Sequence, residues 1–350
     1  QPVFQRSRLA SMLGQMVTAG EHMLSRWSQL GEDALVNLAD EMTQLTLEVI
    51  TQTMFNTSVL DDIDKIAPAL DTGLRYASKT VVNPLTLPLI FPTADNQKFK
   101  QATALLDEVI YGIIEQHRQQ SVPQNDLLTM LLEARDEESG ETMSDQQIRD
   151  EVITIFSAGH ETTANLLTWT LYLLARHPEV LAKLRIELDR LRGKTPDEAD
   201  LQQLVYSRAV LNESMRIRPP VGILMRKVSQ DTEIDGYALK ANSLVVFNIY
   251  NLHHHVDFWD SPETFDPERF LNTEKRRFSY MPFGTGERVC IGNHFALMEG
   301  QLLLTMIIQH YDVQLVNDED VEIEMAITLR PKGGVPVRLK RRHDAYGAKR

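Results

Sequence analysis

The stretch RFSYMPFGTGERVCIGNHFALMEGQLLL, Arg277 to Leu304, contains the single cysteine of a 350-residue chain, Cys290, between a glycine-rich turn and an apolar helical pattern. The pattern predicts a helix over Ile291 to Tyr311, with the Cys290 sulfur at its N-terminus. Unpaired backbone N–H groups and the helix dipole favour negative charge there. Gly284, Gly286 and Gly292 let the chain fold tightly around the sulfur, and Arg288 stands two residues before it. Such a cysteine is expected to ionise more readily than a free one, and a thiolate binds metals. A buried structural cysteine fits the same spacing equally well.

A lone cysteine forms no internal disulfide, which points to a reducing, cytoplasmic setting. Hydrophobic residues at 43% and charged residues at 24% are those of an ordinary globular protein, so disordered and fibrous classes are excluded. The net charge of −13 argues against nucleic acid as a partner, since a phosphate backbone needs a clustered positive face. The one strongly basic segment, Arg338 to Arg350, reads as a solvated tail. The longest charge-free apolar run in the helical zone, Thr162 to Ala175, is shorter than the ~20 residues a membrane span needs. No signal peptide is evident, and a chain that starts at Gln1 reads as mid-protein.

Working outward, residues 1–192 are mostly helical by period, through Leu9–Trp27, Ala34–Met54, Ile63–Tyr76 and Phe99–His117. Asn83–Pro92 carries three prolines and is a loop. Ser144 and Gln147 have capping-box spacing and open a long helix to about Arg176, which His177-Pro178-Glu179 ends while starting the next. Residues 193–350 mix helix with short strands, as in GYALKANSLVVFNIY, and TLRPKGGVPVRL reads as a terminal hairpin. The expectation is one domain over 1–350, mainly α with small β-sheets.

Two further segments bear on chemistry. In FSAGHETTANLLTW, Phe156–Trp169, the residues Gly159, His160, Glu161, Thr162 and Thr163 interrupt an apolar helix at a cost in helix stability. A local bulge with a polar groove would explain them, and so would a polar stripe facing solvent or a neighbouring helix. In NESMRIRPP, Glu213 and Arg216 lie three apart on one helical face and would pair, ordinarily a weak surface interaction. His253, His254 and His255 tempt a metal reading, but in a strand only His253 and His255 share a face and no further ligand is nearby.

Together these segments resemble the cytochrome P450 family of haem-thiolate monooxygenases. Phe283, Gly284, Gly286, Arg288, Cys290 and Gly292 match the family's cysteine-loop pattern in full, and Ala158, Gly159, Glu161 and Thr162 match its central-helix pattern. Glu213 and Arg216 match its Glu-x-x-Arg helix, and Pro267 to Phe270 its Pro-Glu-Arg-Phe segment. The resemblance implies the family fold and, as cofactor, haem b (iron protoporphyrin IX), with Cys290 as the thiolate ligand of the iron. It implies that Arg226 and Arg288 partner the haem propionates, that Phe283 shields the sulfur, that Ala158 and Gly292 border the cofactor, and that Ala158 and Gly159 make room for dioxygen. Glu161 and Thr162 would be the acid and alcohol that deliver protons to dioxygen. Glu213, Arg216 and Arg269 would be a structural ion-pair triad.

The implied substrate is an apolar small molecule lined by Ile155, Ala158, Val221–Met225 and Ala326–Thr328. Electrons would come from a separate ferredoxin or flavodoxin-type protein docking on a basic patch of Lys275, Arg276, Arg277 and Arg288. Set against family members, the chain is expected to lack roughly the first hundred residues of the fold, leaving the distal face uncovered. The alternative this leaves open is a haem-poor or haem-free scaffold of the same fold, self-associating as a homo-oligomer through that face.

Overall fold

The computed structural model describes residues 4, 6–83, 85–119, 126–136, 139–271 and 278–342. Its helices are α1 (Arg6–Gln29), α2 (Leu38–Phe55), α3 (Ile63–Val82), α4 (Ala94–Gln119), α5 (Leu127–Glu133), α6 (Asp145–Arg176), α7 (Pro178–Leu188), α8 (Glu198–Gln203), α9 (Val205–Ile217), α10 (Ile249–His253) and α11 (Asn293–His310). The strands are β1 (Ala34–Asn37), β2 (Ile223–Lys227), β3 (Thr232–Ile234), β4 (Tyr237–Leu239), β5 (Leu244–Asn248), β6 (Tyr311–Leu315), β7 (Ile323–Met325), β8 (Leu329–Pro331) and β9 (Pro336–Arg341). They form one three-stranded sheet, β1-β9-β6, and three two-stranded sheets, all antiparallel.

The long helix α6 organises the rest. Its start is the capping box expected: Ser144 Oγ accepts from the Gln147 amide at 3.3 Å, and Gln147 Oε1 accepts from the Ser144 amide at 2.8 Å. Thr163 to Leu174 are buried on every face, as a helix surrounded by others requires. α2 lies along it so closely that a Cβ on Gly159 would stand 2.6 Å from Ile50 Cδ1. α1, α9 and α11 complete the core, with Trp27, Trp169 and Leu302 to Leu304 essentially inaccessible. Each large apolar side chain so buried contributes about 1.5–3 kcal/mol.

Three sequence expectations need correction. Ala34–Asn37 is a strand and not the start of a helix, because Asn37 Oδ1 caps α2 at the Ala39 amide (3.2 Å) and also accepts from the Val335 amide (2.8 Å), locking β1 against β9. Thr328–Leu339 is no hairpin: β8 pairs with β7, while β9 pairs with β1 and β6. Gly333 and Gly334, at φ +75° and +81°, turn the chain between the two sheets, and a side chain on Gly334 would collide with Asn37. The basic run from Arg338 is not wholly a tail, since Arg338 to Arg341 belong to β9, with Val337 and Leu339 buried and Arg338 and Lys340 exposed. Residues 343–350 lie outside the described residues. No helix among the described residues is long and apolar enough to cross a membrane.

Candidate active site

The cysteine loop is built from backbone. Gly284 and Gly286 adopt φ +70° and +73°, a region closed to most side chains. That turn carries the Cys290 amide to the Phe283 carbonyl at 2.9 Å. Gly292 caps α11, accepting from Ala296 at 2.8 Å, and its own amide donates to the Cys290 sulfur. The sulfur therefore sits at a helix N-terminus as expected. In the metal-free chain, burial among apolar neighbours raises the thiol pKa, and the Gly292 amide partly offsets this. Cys290 is exposed and lines a cavity.

That cavity, about 270 Å³, has Cys290, Phe283, Arg288 and Gly292 on one side and Ala158, Gly159 and Thr162 of α6 on the other. Ile155, Leu166, Val221 and Leu224 extend its apolar wall. α6 runs through this point as an unbroken α-helix, so the expected bulge is absent, and Gly159 is explained by the approach of Ile50. Thr162 Oγ1 donates to the Ala158 carbonyl one turn back, at 2.8 Å. Gly222, Ile223, Met225 and Ala326 to Thr328, expected in the wall, are outside it. Arg226 is exposed on β2 and also outside the wall, its guanidinium donating to the Met225 carbonyl at 2.9 Å.

Glu161 turns the other way. It lines a second, polar cavity of about 430 Å³ with Asp71, Arg75, Glu324 and Arg330. Its Oε1 accepts from Thr328 Oγ1 at 2.7 Å and lies 3.8 Å from Arg330. Burial raises its pKa, while Thr328 and Arg330 restrain the rise. Sequence reasoning missed Thr328 and Arg330 as its partners and Asp71 as a like-charged neighbour; nothing local in the chain links them to α6.

Behind the cysteine wall, Glu213 and Arg216 are both inaccessible and bonded through two contacts of 2.8 Å, a bidentate pair. Arg269 comes within 3.4 Å of Glu213, and Arg216 donates to the His253 carbonyl at 2.9 Å and stands over the Trp259 ring. The triad is thus brought together. His253 is buried on α10, its Nε2 accepting from the Met281 amide at 2.9 Å, so the histidine run lies in a helical turn and not in a strand. No cluster of three or more His, Cys, Asp or Glu able to hold a metal occurs among the described residues. Lys275, Arg276 and Arg277 of the expected docking patch lie outside them.

The residues present fit the haem that the resemblance implies. A single sulfur donor opens onto a mainly apolar cavity whose lining includes Gly159, Gly284 and Gly292. A Cβ on Gly292 would stand 3.9 Å from the sulfur, in ordinary contact with it, so Gly292 is an immediate neighbour of the donor. Arg288 supplies a cation at the rim for a carboxylate.

The cytochrome P450 family model matches residues 2–336. The chain is 32% identical to "Putative cytochrome P450 132" of Mycobacterium bovis, over 97% of this chain and 76% of that protein. It is 31% identical to "Cyclooctat-9-en-7-ol 5-monooxygenase" of Streptomyces melanosporofaciens, over 90% of this chain and 69% of that protein. A crystal structure, that of the cytochrome P450DA heme domain, superposes with a TM-score of 0.88 at 30% identity, covering 99% of this chain and 77% of the other. The family match takes in nearly the whole chain, which spans about three quarters of the Mycobacterium bovis relative and of the solved heme domain, and a haem-free scaffold is not favoured. The chain belongs to the cytochrome P450 family and is a haem-dependent monooxygenase.

Proposed function

We propose that the chain transfers one atom of dioxygen to an apolar organic molecule held between α6 and Val221–Leu224, with Cys290 as the thiolate donor to the iron. The observation that carries this reading is the single cavity wall shared by Cys290, Ala158 and Thr162. Bound haem supplies the iron at which dioxygen is activated. Cys290 would hold the iron, and the Gly292 amide on its sulfur would temper how much charge it donates. Phe283 keeps water from the sulfur, and Arg288 pairs a propionate.

On the opposite face, Thr162 spends its own proton on Ala158, which leaves its oxygen free to accept a hydrogen bond from the cavity side. Glu161 takes protons from the polar cavity and passes them toward Thr162 once its bond to Thr328 opens. The hydrocarbon character of Ile155, Leu166, Val221 and Leu224 selects a substrate with little polar surface. The Streptomyces relative is named for oxidising a cyclic alcohol, and the same substrate class suits this wall. Electrons arrive from a separate ferredoxin or flavodoxin-type protein docking on the Cys290 side, where Arg288 is exposed.

Oxygen-18 tests this. With haem, a ferredoxin and its reductase supplied, an apolar cyclic alcohol turned over under labelled dioxygen should gain a single labelled oxygen. Label appearing only in water and peroxide across a panel of such substrates would overturn the reading.

A further inference from the structure

Glu299 lies in the middle of the apolar helix α11, 1% exposed, and neither carboxyl oxygen meets a partner at hydrogen-bond geometry. The other buried polar side chains of that stretch are engaged: Gln301 donates to the Leu201 and Leu204 carbonyls, and Thr305 to the Gln301 carbonyl. An acid left in this state costs stability, and an apolar isostere would ordinarily be neutral or better. The hydroxyl that bears on it is that of Thr163, itself 2% exposed and in the wall of the cavity shared with Cys290.

The position of this pair matters. α11 leaves directly from the cysteine loop, and its first turn contributes Phe295 and Ala296 to the cavity wall. At the residue after Glu299, α11 meets α6 and α9 so closely that a Cβ on Gly300 would stand 3.5 Å from Leu166 and 3.6 Å from Leu211. Glu299 and Thr163 therefore span the seam between the helix that starts at the sulfur and the helix that carries Thr162. Desolvation holds the Glu299 carboxyl well above its ordinary pKa, consistent with a protonated group.

We propose that Glu299 is a positioning residue: as a neutral acid it closes a hydrogen bond with Thr163 across the α6–α11 seam and so fixes where Thr162 stands relative to Cys290. The proposal rests on the reading of Cys290 and Thr162 given above. Its role is that of a brace, since the carboxyl is almost wholly buried and its oxygens meet no partner at hydrogen-bond geometry among the described residues.

Infrared spectroscopy of the haem-supplied protein should contain the C=O band of a neutral carboxylic acid that vanishes in Glu299→Gln and shifts in Thr163→Val. Glu299→Leu should keep the carbon monoxide spectrum of the wild type yet lose several-fold in product formed per dioxygen consumed, the balance appearing as peroxide, and Glu299→Gln, which retains a donor, should restore it. A band that survives Glu299→Gln or ignores Thr163→Val overturns the proposal, as does wild-type coupling in Glu299→Leu. Should Glu299→Leu fail to fold, Thr163→Val carries the coupling test with the same two outcomes. A wild type without a thiolate-type carbon monoxide spectrum would defeat the underlying reading of Cys290, and the infrared result would still decide the state of Glu299.

Discussion

Glu161 and Thr162 are adjacent in α6 but open onto different cavities: Thr162 shares a wall with Cys290, and Glu161 faces Asp71 and Arg330 with its Oε1 held by Thr328 at 2.7 Å. One peptide unit thus separates a polar reservoir from an apolar chamber. Proton supply should depend on both residues in different ways. Glu161→Gln is expected to slow turnover by on the order of 10²-fold, the scale of a lost general acid. Thr162→Ala should keep consuming electrons and divert them to peroxide. Rates of product, peroxide and electron consumption measured side by side check this, and unchanged coupling in both variants would contradict it.

The pairing of Glu213 with Arg216 is fully buried, so its two halves are not equivalent to a surface ion pair. Arg216→Ala should destabilise the protein by about 3–5 kcal/mol, because it strands a carboxylate that also accepts the Asp266 amide at 3.0 Å. Chemical denaturation reads the loss. A change under about 1 kcal/mol would mean the pair is solvated in solution.

Acid sensitivity has an identifiable source in His160 and His253, both buried and both lowered to about 4 from 6.5, chiefly by desolvation. The unfolded chain takes up these protons near pH 6.5 and the folded one near pH 4. Their contribution is therefore complete above pH 6.5 and lost as pH falls toward 4, on the order of 3 kcal/mol for each group. His160→Gln should flatten the fall in stability between those two values; an identical slope in wild type and variant would refute the assignment.

Gly159 is held to hydrogen by Ile50 Cδ1, 2.6 Å from where a Cβ would sit. Gly159→Val should cost about 1–3 kcal/mol in spite of the better helix propensity of valine, through overpacking between α2 and α6. Pairing it with Ile50→Ala should recover part of that loss, as a double-mutant cycle in thermal unfolding would reveal. Additive losses would exclude the contact as the cause.

Much of this was legible in the chain. The capping box of Ser144 and Gln147, the loop around Cys290 and the pair of Glu213 and Arg216 are local patterns whose chemistry needs no distant partner, while Arg269 joined that pair only through the family resemblance. What escaped depends on distant segments. Ala34–Asn37 is a strand because of β9, some 300 positions away, and Glu161 turns from the cysteine because Thr328 and Arg330 attract it. Helix-end position of the thiol is visible in sequence, whereas the burial that opposes its ionisation in the metal-free chain is not. Glu299 did leave a signal, as the sole charged residue within the apolar run Phe295 to Gln309.

The most direct test is the carbon monoxide spectrum of the reduced, haem-supplied protein beside that of Cys290→Ala. The wild type should give the strongly red-shifted Soret band of thiolate-ligated iron, and the variant should lose it while retaining the helical circular dichroism of the fold. A red-shifted band that persists in Cys290→Ala, or none in a wild type that binds haem, would contradict the assignment of Cys290 as the iron's protein ligand.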